Sequence, residues 1–128
     1  MEPQVYAQYE RCPPEALEIL GQTRGDDTHF NDLSVGNLRQ LIEIGAVDPD
    51  DCQNDSPTAA EMLEFGEENP GTIFGGYRVP DSRWDRRITL ETMFIPVKDG
   101  MVPVKLLGFV KRADEADEEN GMLRLWWD

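Results

Sequence analysis

Cysteine is scarce in this chain, with Cys12 and Cys52 the two present. Nothing around them demands a bridge, so reduced thiols in a cytoplasmic setting are the expectation. Histidine occurs once, at His29, which excludes a multi-histidine metal site and the paired-histidine metalloprotease motif. No apolar run approaches the ~20 residues of a membrane span. The opening MEPQVYAQYE lacks the basic flank and apolar centre of a secretory leader. The glycines at 75, 76, 100, 108 and 121 fit neither a phosphate-binding loop nor a dinucleotide fingerprint. No cofactor is indicated. Lysine is limited to Lys98, Lys105 and Lys111, and 12 basic residues face 26 acidic ones for a net charge of −14. A field of that sign repels nucleic acid and anionic membrane and attracts basic partners.

What is present reads as one α+β domain over residues 1–128. Apolar residues make up 39% and charged residues 30%, which suits a folded chain rather than a disordered one. The charge is uneven. Residues 1–70 carry 16 acids and 3 bases, residues 71–112 carry 4 acids and 8 bases, and the last 16 residues carry 6 acids and one base. An acidic helical half, 1–70, and a more basic sheet half, 71–128, are the expectation. General solubility or a salty cytoplasm would also select an acid-rich, lysine-poor surface.

Two or three helices are expected in the first half. Glu15 to Leu20 follows Pro13-Pro14 and stops at Gly21. Val35 to Ile44 is capped by Asp32 or Ser34, carries Val35, Leu38, Leu41 and Ile42 at helical spacing, and ends at Gly45. Ser56-Pro57 starts a third that runs to about Phe65 with Ala59, Met62 and Leu63 inward. Gln22 to Asn31 reads as a polar loop.

Strands follow. Thr72 to Val79 is the first, with Gly75-Gly76 marking a bulge or close approach. Arg87 to Arg112 reads as a hairpin turning at Lys98-Asp99-Gly100, in a register that sets Phe94 against Val104 and Ile88 against Val110. Ala113 to Gly121 reads as a charged connection and Met122 to Trp127 as the last strand. The expected sum is two or three N-terminal helices packed on a C-terminal four-stranded antiparallel meander, in two layers.

Three groups of residues invite a functional reading. Asp48, Asp50, Asp51 and Asp55 share one loop, and Glu61, Glu64, Glu67 and Glu68 follow on the next helix. Carboxylates in such a row imitate phosphates and suit a basic groove, although a solvated face looks the same. The loop also resembles a calcium site in composition. It has Gln53 where the calcium-loop turn needs glycine and Ala59 where it needs a bidentate glutamate, so the match fails. Arg78, Arg83, Trp84, Arg86 and Arg87 form a basic-aromatic group suited to an anion, or to pairing with Asp81 and Asp85. Trp126-Trp127 should split between the core and the outside, and an outward Trp126 is a candidate anchor. A thiol site built on Cys12 or Cys52 with His29 and Asn31 or Asn54 has nothing to bring it together. A winged helix-turn-helix is disfavoured by the long gap from Gly45 to Ser56 and by its acidic helices.

The first expectation is a non-enzymatic interaction domain that offers the eight carboxylates to a basic protein, as an inhibitor or nucleic-acid mimic acting on a nucleic-acid-binding protein. It contacts neither nucleic acid nor membrane directly. The alternative is a small-ligand-binding or enzymatic domain with an anion on the arginine cluster. A third is a homodimer joined through an edge strand or Trp126.

Overall fold

A computed structural model describes residues 14–22, 29–78, 88–97 and 104–128. Its elements, in order, are α1 (Pro14–Leu20), β1 (His29–Ser34), α2 (Val35–Glu43), α3 (Ala59–Glu68), β2 (Ile73–Arg78), β3 (Ile88–Pro96), α4 (Val104–Arg112), β4 (Glu115–Glu119) and β5 (Met122–Trp126). The strands form one antiparallel sheet in the order β1-β2-β3-β5-β4. The α+β class and its helix-on-sheet arrangement hold. Among the described residues the sheet has five strands rather than four, and a fourth helix lies between β3 and β4.

The first two helices close as the sequence implies. Gly21 (φ 68°) and Gly45 (φ 80°) take left-handed backbone just past α1 and α2. Each stop carries the paired bonds of a Schellman motif. Gly21 N–H donates to Glu18 O and Gln22 N–H to Leu17 O, while Gly45 N–H donates to Ile42 O and Ala46 N–H to Leu41 O. Ser34 caps α2, its hydroxyl accepting from Asn37 N–H.

The third helix starts two residues later than expected. Thr58 is its cap, and Thr58 and Glu61 bond reciprocally in a capping box. The loop before it satisfies the remaining free donors. Ala59 N–H reaches Asp51 O at 3.0 Å and Ala60 N–H reaches Pro49 O at 2.9 Å. Ser56 is not the cap. It is buried, accepting from Gln53 N–H and donating to Pro57 O. The helix also runs past Phe65. Gly66 lies inside it, where a β-carbon would press on Val35 Cγ2 at 2.7 Å, so its small size lets α3 approach α2 and β2.

The largest correction concerns the hairpin. Its first arm is β3, but Val104 to Arg112 is a helix. Leu106 and Phe109 are buried and Val110 and Ala113 half-buried, which is helical spacing. Leu106, Phe109 and Val110, which suggested a strand, serve a helix stripe, and Lys111 and Arg112 suit its negative C-terminus. The true partner of β3 is β5, with Thr92 opposite Trp126, Met93 opposite Leu125 and Phe94 opposite Arg124. The charged connection is itself a strand. β4 and β5 meet at Asn120 (φ 53°) and Gly121 (φ 76°), a two-residue turn with both residues left-handed. Residues 29–34, expected as loop and cap, form the opposite edge strand. Its register shifts between Phe30 and Leu33, the two residues it buries.

One face of the sheet carries the core. Leu33, Phe74, Met93, Ile95 and Leu125 join Leu38, Leu41, Met62, Phe65, Leu106 and Phe109 of the helices in a single cluster. The Phe65 and Phe109 rings lie 5.5 Å apart at 59°, a tilted aromatic contact between α3 and α4. No helix among the described residues is long and apolar enough to cross a membrane.

Candidate functional site

The acidic loop is held rigidly. Asp50 N–H donates to Asp48 Oδ1 at 2.9 Å, and Asp51 N–H to Asp48 O at 3.1 Å. With the carbonyls of Pro49 and Asp51 on the start of α3, the loop is stitched beneath that helix. Asp50 and Asp55 are exposed and Asp51 is half-buried. Among the described residues, no ion pair reaches these three.

The four glutamates of α3 are placed differently. Glu61 belongs to the capping box. Glu64 and Glu68 both meet Lys105 Nζ, at 3.0 and 3.4 Å, and Glu67 meets Arg39 at 2.7 Å. The contact with the two glutamates raises the Lys105 pKa. All these pairs are exposed, so water and salt screen them and they stabilise the fold little. They nevertheless offset the charge of the row expected to mimic phosphates. The offset follows from the helical state of residues 104–112. It sets α4 antiparallel beside α3, with Lys105 near the end of α3 and Arg112 donating to Ser56 O at 3.0 Å. The positive charge of these residues therefore lies beside the acidic helix, not on strands behind it.

The arginine cluster divides. Arg78 is fully buried at the end of β2, and its Nε donates to Gln22 Oε1 at 3.2 Å. Arg83, Trp84, Arg86 and Arg87 lie outside the described residues, as does Cys12. Cys52 is exposed, with its thiol 3.7 Å from Asn54 O. Among the described residues no three or more His, Cys, Asp or Glu side chains converge in a group suited to a metal ion.

A second surface was not legible as a site. Gly76 pairs with Leu90 and Gly75 with Thr92, which leaves Glu91 as an extra residue in β3. Such a bulge re-aims a side chain. Trp126, His29 and Asp128 all lie near enough to the Glu91 carboxylate to bear on its pKa. Burial is the main influence and raises its pKa; His29 and Trp126 act against that, and Asp128 adds to it. His29 and Tyr77 stand side by side, ring centroids 6.0 Å apart. Across the sheet from them come Thr92, Phe94, Arg124 and Trp126 on the face opposite the core. Tyr77, Phe94 and Trp126 are half-buried and lie outside the core cluster. Arg124 is held by Glu115 at 3.3 Å and Asp117 at 3.4 Å. The sequence signal for this site was the Gly75-Gly76 pair, read as a bulge but not connected to Glu91.

Trp126 and Trp127 do split between the two faces. Trp127 is fully buried and Trp126 half-exposed. Trp126 lies on β5, which has a neighbour on each side, so it is not at a sheet edge. The edges are β1 and β4. No protein-family model, curated protein or solved structure matches the chain.

Proposed function

We propose that this is a non-enzymatic protein-interaction domain whose acidic surface meets a basic partner in the cytoplasm. It would act as an inhibitor or nucleic-acid mimic of a nucleic-acid-binding protein. The observation that carries the reading is the commitment of most of the described cations. Among the described lysines and arginines, Arg39, Lys105 and Arg124 sit in ion pairs, Arg78 is buried, Arg112 is bonded to a carbonyl, and Lys111 is exposed. Carboxylates remain in excess. Asp50, Asp51 and Asp55 lie on a loop fixed by its own backbone bonds, which lowers the ordering cost of binding. This narrows the expected surface from eight residues to the loop, with the α3 glutamates as a partly neutralised flank. An anion-binding reading has less support, because Arg78 is enclosed in the fold.

The test is a salt series on a partner recovered by affinity capture. Affinity should fall steeply as ionic strength rises from about 0.01 M to 0.3 M, where the screening length contracts from ~30 Å to below 8 Å. The triple variant Asp50→Asn/Asp51→Asn/Asp55→Asn should bind more weakly and show a shallower salt dependence. Affinity that is flat across the series would overturn the proposal.

A further inference from the structure

We infer that the outer face of the sheet seats an arginine side chain of the basic partner, between the Glu91 carboxylate and the Trp126 ring. The inference rests on the acidic-interaction reading and names where its anchor lies.

Three observations support it. The first is the bulge. A regular β3 would have no extra residue between Leu90 and Thr92; the irregularity sets Glu91 beside β5, where its carbonyl accepts from Trp127 N–H at 2.9 Å and Trp126 lies opposite the neighbouring Thr92. The second is the surface around it. Tyr77, Phe94 and Trp126 are half-buried aromatics outside the core cluster, flanked by exposed His29 and Asn31. Gly75 lies beneath Asn31, where a β-carbon would come within 2.7 Å of Asn31 Oδ1 and 3.3 Å of Thr92 Cβ. The third is charge. Glu91 and Asp128 act on each other, and Glu115 and Asp117 both lean on Arg124. Arg124 is thus already engaged, and His29 only partly offsets the burial of Glu91. A guanidinium suits this surface: it is a delocalised cation that forks onto a carboxylate and stacks on an indole. An ammonium satisfies the carboxylate without the planar stacking. Tryptophan and arginine are also the residue types most often found at the energetic centres of interfaces.

The probe is a capped peptide of alternating glycine and arginine, about eight residues long, titrated into the 15N-labelled chain at low ionic strength, where exposed charges are least screened. The Trp126 indole N–H signal, identified by its loss in Trp126→Phe, should move saturably together with the Glu91 and Thr92 amides. Glu91→Gln and Trp126→Leu should each weaken binding about threefold to tenfold. Asp55→Asn removes the same charge as Glu91→Gln and should have a smaller effect. A lysine peptide should bind more weakly than the arginine peptide. Binding that maps to residues 48–55 and is unchanged in Glu91→Gln would overturn this inference and leave the acidic reading standing. Equal affinity for the two peptides would overturn the stacking role of Trp126. No saturable shift with either peptide would overturn this inference, while the salt series on the captured partner decides the acidic reading separately.

Discussion

Gly76→Ala tests the bulge that places Glu91. A β-carbon on Gly76 would overlap the Thr89 carbonyl oxygen and press on Leu90 Cα at 3.0 Å. Both obstacles are backbone, so no side chain can rotate away. The strands must part where Gly76 faces Leu90. Losing one or two ladder hydrogen bonds costs about 1 kcal/mol each. Residual overpacking adds about 1–3 kcal/mol. The expected loss is therefore about 2–5 kcal/mol, a large share of the ~5–15 kcal/mol typical of a domain. The control is Gly36→Ala in α2, where a β-carbon meets nothing within 4 Å. Relief of the helix penalty for glycine should stabilise that variant by up to about 1 kcal/mol. Urea unfolding followed by circular dichroism reads both. A Gly76→Ala variant as stable as the native chain would refute the close approach and the bulge built on it.

Three other outcomes follow from particular contacts. Thr58→Ala removes the cap of α3 and should cost about 1 kcal/mol in chemical denaturation. Trp127 is fully buried and its indole N–H has no hydrogen-bond partner among the described residues. Trp127→Phe loses area but removes a donor whose burial costs about 1–3 kcal/mol, so it should stay within about 1 kcal/mol of the native chain. Trp127→Ala should cost about 3–5 kcal/mol. Glu91 has a raised pKa, so the folded state holds its proton more tightly than the unfolded state does. Its contribution therefore worsens as pH rises above the ordinary value of 4.5, and is absent below it. Glu91→Gln should accordingly be at least as stable as the native chain at neutral pH. That difference should vanish in acid, as read by unfolding midpoints across pH.

Local chemistry carried much of the fold. Gly21, Gly45 and the alternation of Leu123, Leu125 and Trp127 act within a few residues, and each predicts its element from the sequence. Residues 104–112 show where local reading fails. Val104, Leu106 and Val110 alternate as a strand would, while Leu106, Phe109, Val110 and Ala113 repeat as a helix does. Only packing against Phe65 and the sheet decides between them. β4 was obscured by its charge, because an edge strand can stay polar on both faces and still pair. Asn120-Gly121 was the signal that marked it. β1 was obscured because its irregular register breaks the period of two. The acidic loop was legible as a surface. Its α3 extension was not, because pairing to Lys105 and Arg39 depends on tertiary placement. The Glu91 site could not be read locally, since His29, Glu91 and Trp126 lie far apart in the chain.

Both proposals depend on which segment lies beside β3. Backbone NOEs and Cα chemical shifts of the labelled chain test this directly. The account predicts cross-strand contacts between Thr92 and Trp126 and between Met93 and Leu125, with helical shifts through Val104–Arg112. Extended shifts through that segment, with contacts between Phe94 and Val104, would contradict it.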